Sequence, residues 1–96
     1  MYQNRYINTV YSIRVRKSAY KKMAKAPESI QILFHELLED LETIGPFQHS
    51  WPNYSPLGKN KYHCHLAYSW VACWYFEKGS IEIEVYYAGS RENAPY

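Results

Sequence analysis

In the stretch KYHCHL, residues 61–66, His63 and His65 stand two apart with Cys64 between them. Side chains alternate across a strand, so a strand here aims both imidazoles one way and the thiol the other. An imidazole with an unperturbed pKa of about 6.5 takes or gives a proton near neutrality without much tuning. The pair is open to three readings: acid–base groups, metal ligands, or polar residues on a wet face. The metal reading joins His63 to Cys73 and Glu84, one ligand from each of three adjacent strands. The outer two strands lie roughly 10 Å apart, so two side chains would have to lean inward to reach bonds of about 2.0–2.3 Å. No paired-cysteine spacing supports that set, and neither a metal nor another cofactor is expected. In the acid–base reading Glu84 instead holds an imidazole in one tautomer.

These residues need a sheet to carry them. KYHCHL, WVACWYF and SIEIEVYY read as three strands, joined by AYS and EKG, connections short enough to force antiparallel neighbours. A hairpin centred on Tyr68 sets His63 opposite Cys73, Cys64 opposite Ala72 and His65 opposite Val71. A second, centred between Lys78 and Gly79, sets Cys73 opposite Glu84, Tyr75 opposite Glu82 and Val71 opposite Tyr86. Ile81, Ile83, Val85 and Tyr87 must then face the core, because the alternative buries Glu82 and Glu84 unpaired. One face carries Tyr62, Cys64, Leu66, Ala72, Trp74 and Phe76. The other carries His63, His65, Val71, Cys73, Tyr75, Glu82, Glu84 and Tyr86, and the two cysteines point to opposite sides.

The N-terminal half supplies what covers the sheet. TVYSIRVRK alternates Tyr11, Ile13 and Val15 against Ser12, Arg14 and Arg16, the period of a half-buried strand. Ser18 can cap a short helix bearing Ala19, Met23 and Ala26. Pro27 stops it and opens a second helix at its first position. Along that second helix Ile30, Leu33, Phe34, Leu37, Leu38, Leu41 and Ile44 trace one stripe, and Gly45 closes it. GPFQHSWPNYSPLGKN, with three prolines and two glycines, reads as a loop. In it Trp51 and Tyr54, like Tyr68 further on, are placed to stack on a base or pack on a partner. His35 and His49 are assigned no chemistry. The expected fold class is α+β, a single domain over residues 1–96: two N-terminal helices on one face of a four-stranded, mainly antiparallel sheet in the order β-α-α-β-β-β, with the first strand beside the last.

Bulk properties fit a folded protein of the cytoplasm. Of 96 residues 47% are hydrophobic and 18% aromatic, well above a disordered chain. No apolar run approaches the roughly 18–20 residues that span a bilayer, and MYQNRYINTVYSIRVRK has no signal-peptide core, so no membrane is expected as a partner. Cys64 and Cys73 are then expected as reduced thiols. The net charge is only +2, yet seven of eleven basic residues fall in the first 25 positions, where no acidic residue occurs. Such a basic district suits a polyanion or a solvated helix face.

The order strand, short helix, long helix, three-stranded meander resembles the RelE/ParE toxin superfamily of toxin–antitoxin systems over most of the chain. The likeness is carried by YSIRVRKSAYKKMAKAP, by LGKNKYHCHL, where members tend to have Leu-x-Gly before a Tyr-Arg-containing strand, and by Gly89-x-Arg91 followed by Tyr96. It implies one of two activities: RelE-like members are ribosome-dependent endoribonucleases that cut mRNA, and ParE-like members inhibit DNA gyrase without cutting RNA. A degenerate toxin that only binds its antitoxin is the third possibility. In the nuclease branch His63 matches the position of a basic or imidazole group, His65 its neighbour, Arg91 the arginine after the glycine, and Tyr96 the closing tyrosine. The chemistry implied is metal-free: His63 as base or acid, His65 as its partner, Arg91 stabilising the phosphorane, Lys59 and Lys61 positioning the RNA backbone. The implied partners are a cognate antitoxin protein and mRNA in the ribosomal A site. One departure stands out. Val71 occupies a middle-strand position where many RelE members have an arginine.

Overall fold

The computed structural model describes residues 10–96. Strand β1 (Ser12–Val15) runs directly into helix α1 (Lys17–Ala24), and α2 (Glu28–Thr43) follows. Then come β2 (Ser55–Pro56), β3 (Lys61–Ala67), β4 (Trp70–Phe76) and β5 (Glu82–Ser90). They form one five-stranded sheet in the order β1-β5-β4-β3-β2, with β1 parallel to β5 and every other pair antiparallel. Both helices lie on one face.

The apolar stripe of α2 does what its period requires: Ile30, Phe34, Leu37 and Leu41 are buried against Cys64, Leu66, Ala72, Trp74, Ile83 and Val85 of the sheet. Each large side chain so buried contributes about 1.5–3 kcal/mol. Ala19 and Met23 of α1 complete the layer. Ile44, the residue that caps the C-terminus of α2, is exposed. Gly45 takes φ of +111°, and a Cβ there would sit 2.8 Å from the Tyr11 ring, so only glycine can end the helix at this place. Helix α1 starts one residue before Ser18. Its cap position is Arg16, whose guanidinium has no acceptor for the first-turn N–H groups and whose own backbone N–H donates to Val85 O at the end of the parallel ladder. Helix α2 starts at Glu28, with the extended Pro27 as its cap.

Four strands were expected and five are present. The fifth, β2, lies inside the segment read as a loop, and its two residues include Pro56, which has no N–H for a ladder and is confined to an edge. The whole segment is tied down: Gln48 donates to Asp40 O and Gly45 O, Trp51 Nε1 to Asp40 Oδ2, Trp74 Nε1 to Pro46 O, and His65 N–H to Pro52 O. Trp51 and Tyr54 are partly buried against the core.

The register of β3 on β4 agrees with the expectation: His63 faces Cys73, Cys64 faces Ala72, His65 faces Val71. The register of β4 on β5 differs. Tyr75 faces Glu84, Cys73 faces Tyr87 and Val71 faces Gly89. The connection after Phe76 is longer than a two-residue turn, which shifts the near half by two, and a bulge between Cys73 and Trp74 leaves Tyr86 as an extra residue and shifts the far half by one more. Tyr86 and Tyr87 therefore both join the cluster on the face away from the helices, while Ile81 is exposed. No helix among the described residues is long and apolar enough to cross a membrane.

Candidate active site

The face opposite the helices is not uniformly wet. Val71 and Cys73 are fully buried there with Tyr87, under Leu57, Tyr86 and Ala94. Next to this small apolar floor stand the two histidines. Their ring centroids are 5.8 Å apart, and the Tyr96 ring lies 4.6 Å from that of His63 at a tilt of 50°. The tail after β5 makes this possible: Arg91 N–H donates to Ser69 O, Ala94 N–H to Arg91 O, and the chain turns back across the face. His63, expected in the open, is only 8% exposed because Tyr96 and β2 cover it. His65 remains half-buried.

Hydrogen bonds to both imidazoles come from the covering segment. Nδ1 of His63 lies 3.3 Å from Ser55 O and 3.3 Å from Ser55 Oγ. Nδ1 of His65 lies 3.3 Å from the Asn53 side-chain nitrogen. Burial pushes the His65 imidazole below the usual histidine value, and the charges of His63 and Arg91 push it the same way. Burial raises the Tyr96 hydroxyl, with nearby Cys73 adding to the rise and Arg91 pulling against it. At neutral pH, then, His65 is uncharged and Tyr96 holds its proton.

The gathered set is His63, His65, Tyr96 and Arg91, whose guanidinium sits 5.6 Å from the exposed Tyr68 ring and acts electrostatically on both His65 and Tyr96. Arg91 is exposed, and the described ion pairs do not include one with Glu92. Lys61 Nζ stands 5.8 Å from the Tyr86 ring, and Arg16 approaches the same ring at 5.7 Å. Lys59, in the exposed turn before β3, lies at the rim. Glu84 does not join the set. It pairs with Arg16 at 3.3 Å, and in the observed register it stands opposite Tyr75 and not opposite Cys73. Among the described residues no three His, Cys, Asp or Glu side chains cluster as metal ligands. Burial pushes the Cys73 thiol up to about 12, against a hydrogen bond from Tyr86, so it keeps its proton at neutral pH. Asn53 and Ser55, which touch the two imidazoles, are the candidate site residues that sequence reasoning missed. Their one signal was an Asn and a Ser set between Pro52 and Pro56.

No protein-family model and no curated protein sequence matches the chain. Solved structures do. The chain is similar to one in the archaeal RelE–RelB complex from Pyrococcus horikoshii, at a TM-score of 0.71 and 15% identity over 88% of this chain and 99% of that one. It is similar also to one in the YoeB–YefM complex from Staphylococcus aureus, at 0.65 and 10% over 82% and 94%. A third is in the toxin–antitoxin complex RelBE2 from Mycobacterium tuberculosis, at 0.61 and 14% over 84% and 98%. The chain thus has the RelE-like fold: two helices on a five-stranded, mostly antiparallel sheet.

Proposed function

We propose that this chain is the toxin of a type II toxin–antitoxin pair and a metal-independent endoribonuclease that cuts mRNA in the ribosomal A site. The observation that carries the reading is the gathering of His63, His65, Tyr96 and Arg91 beside one another on the helix-free face of a RelE-like fold. These are the groups that cleavage by a ribose 2′-OH needs. His63 takes the 2′-OH proton as O2′ bonds to phosphorus, Arg91 neutralises the charge that gathers on the phosphorane, and the P–O5′ bond breaks. The leaving O5′ takes a proton from the Tyr96 hydroxyl or from water. The products are a 2′,3′-cyclic phosphate and a 5′-hydroxyl. Lys59 and Lys61 hold the message backbone. The similar structures are toxin–antitoxin complexes, which supports a small antitoxin protein as the regulating partner.

A second reading, a gyrase-inhibiting toxin of the ParE kind, has one observation in its favour. Val71, in the position where an arginine was expected, is fully buried in the Val71–Cys73–Tyr87 floor, so that position offers phosphate no cation. Mapping of message ends after expression, run beside a supercoiling assay, separates the two. New message ends with active gyrase uphold the nuclease, and intact messages with inhibited gyrase overturn it.

A further inference from the structure

The two histidines are not equivalent, and the difference lies in what holds each Nδ1. Ser55 O and Ser55 Oγ both lie 3.3 Å from His63 Nδ1; the hydroxyl can donate or accept, but the backbone carbonyl can only accept, so a bond to the carbonyl puts the proton on Nδ1 and leaves a neutral ring its lone pair on Nε2. In the orientation the Asn53 amide takes here its nitrogen faces His65 Nδ1 and can only donate, which puts the lone pair on Nδ1 and the proton on Nε2. The tautomer of an imidazole is set by the bond its other nitrogen makes. Here one short segment makes both bonds with opposite sense.

The segment is built to hold them. Ser55 is the direct strand partner of His63. Pro52 O accepts from His65 N–H at 2.8 Å, so the backbone and the ring of His65 are bound by consecutive residues. Asn53 sits at φ of +54°, in the left-handed region that asparagine tolerates better than most residues, and this turn aims its amide back at β3.

We propose that Ser55 and Asn53 are positioning residues that fix His63 and His65 in opposite tautomers and thereby divide their work: His63 is the base through its Nε2 lone pair, and His65 is a neutral hydrogen-bond donor through Nε2–H. The roles rest on the nuclease reading, whereas the tautomers do not. In the cleavage step the 2′-OH proton goes to His63 Nε2, while His65 keeps its own proton and lends the N–H to a phosphorane oxygen. A neutral donor suits this place, since two imidazolium rings with centroids 5.8 Å apart would repel. The downward push on the His65 pKa from burial and from Arg91 keeps it neutral.

Long-range proton–nitrogen NMR on the ¹⁵N-labelled protein, without RNA and on the alkaline side of neutrality, reads the tautomers directly. The expected spectrum shows His63 protonated at Nδ1 and His65 at Nε2. In Asn53→Asp the carboxylate accepts where the amide donated, so His65 should move its proton to Nδ1, and message cleavage on ribosomes should fall about 10²–10³-fold, the loss seen when one donor to a developing oxyanion is removed. The same tautomer in both rings of the wild type overturns the proposal, as does an Asn53→Asp protein that flips His65 and cuts undiminished. If Asn53→Asp does not fold, the wild-type spectrum decides alone. Opposite tautomers in a wild type that cuts no message overturn the roles and the nuclease reading together, and leave the positioning bonds upheld.

Discussion

Replacing His63 with glutamine separates its chemistry from its packing. The ring is 8% exposed, wedged between Tyr96 and β2, and its Nδ1 bonds to Ser55 O. A glutamine amide fills much of the same space and can donate to the same carbonyl, so the stability loss should stay at about 1 kcal/mol, the worth of one imperfectly replaced hydrogen bond. From a total of about 5–15 kcal/mol that loss leaves the protein folded. Glutamine has no basic nitrogen, however, and cleavage should fall by the usual worth of a general base, about 10²–10⁴-fold. At about 1.36 kcal/mol per tenfold this is roughly 2.7–5.4 kcal/mol of barrier, several times the folding effect. Single-turnover cleavage of a message on programmed ribosomes, with a thermal melt of the same preparation, measures both. A His63→Gln protein that cuts within tenfold of wild type refutes the base. A loss of cutting that tracks a collapse in Tm refutes the separation and makes His63 a structural residue.

Other expectations follow from the same geometry. Glu84→Gln breaks only the partly exposed pair with Arg16, so stability should change by under about 1 kcal/mol and cleavage should be unchanged; a large loss of cutting would restore its orienting role. Gly45→Ala meets both a left-handed φ and the Tyr11 ring, and should destabilise by about 2–4 kcal/mol, read as a Tm lower by roughly 10–20 °C. Burial raises both thiols from 9.0 to about 12, so the unfolded chain ionises first as pH rises. Stability should therefore be flat below pH 9 with respect to these groups and fall between 9 and 12 by up to about 1.4 kcal/mol per pH unit per thiol, and denaturant titrations that stay level across that window would contradict the burial.

What could be read from the sequence divides along physical lines. The β3–β4 hairpin was legible because strict alternation on both sides of Tyr68 leaves one register that buries Cys64, Ala72 and Trp74 together. The α2 stripe and the Gly45 stop were legible for the same reason, that local pattern and burial agree. The β4–β5 register was not, since a bulge at Tyr86 costs one residue in the count and Tyr87 reads as core on either face. Strand β2 left no period in two residues, one of them proline. The pairing of His63 with His65 followed from strand geometry alone. The bonds that tell them apart come from Asn53 and Ser55, in a segment tied back to the end of α2 by Gln48 and Trp51 and to β4 by Trp74 Nε1 on Pro46 O, bonds that no strand or helix period encodes.

The central claim is that a ribose 2′-OH is the nucleophile, activated on the helix-free face. A message carrying a single 2′-deoxynucleotide at the position cut in the all-ribose message, presented on ribosomes to the purified protein, tests it most directly. The expected result is cleavage of the ribose message to a fragment ending in a 2′,3′-cyclic phosphate, and no cleavage at the deoxy position. Equal cutting of both messages, or of neither, would contradict it.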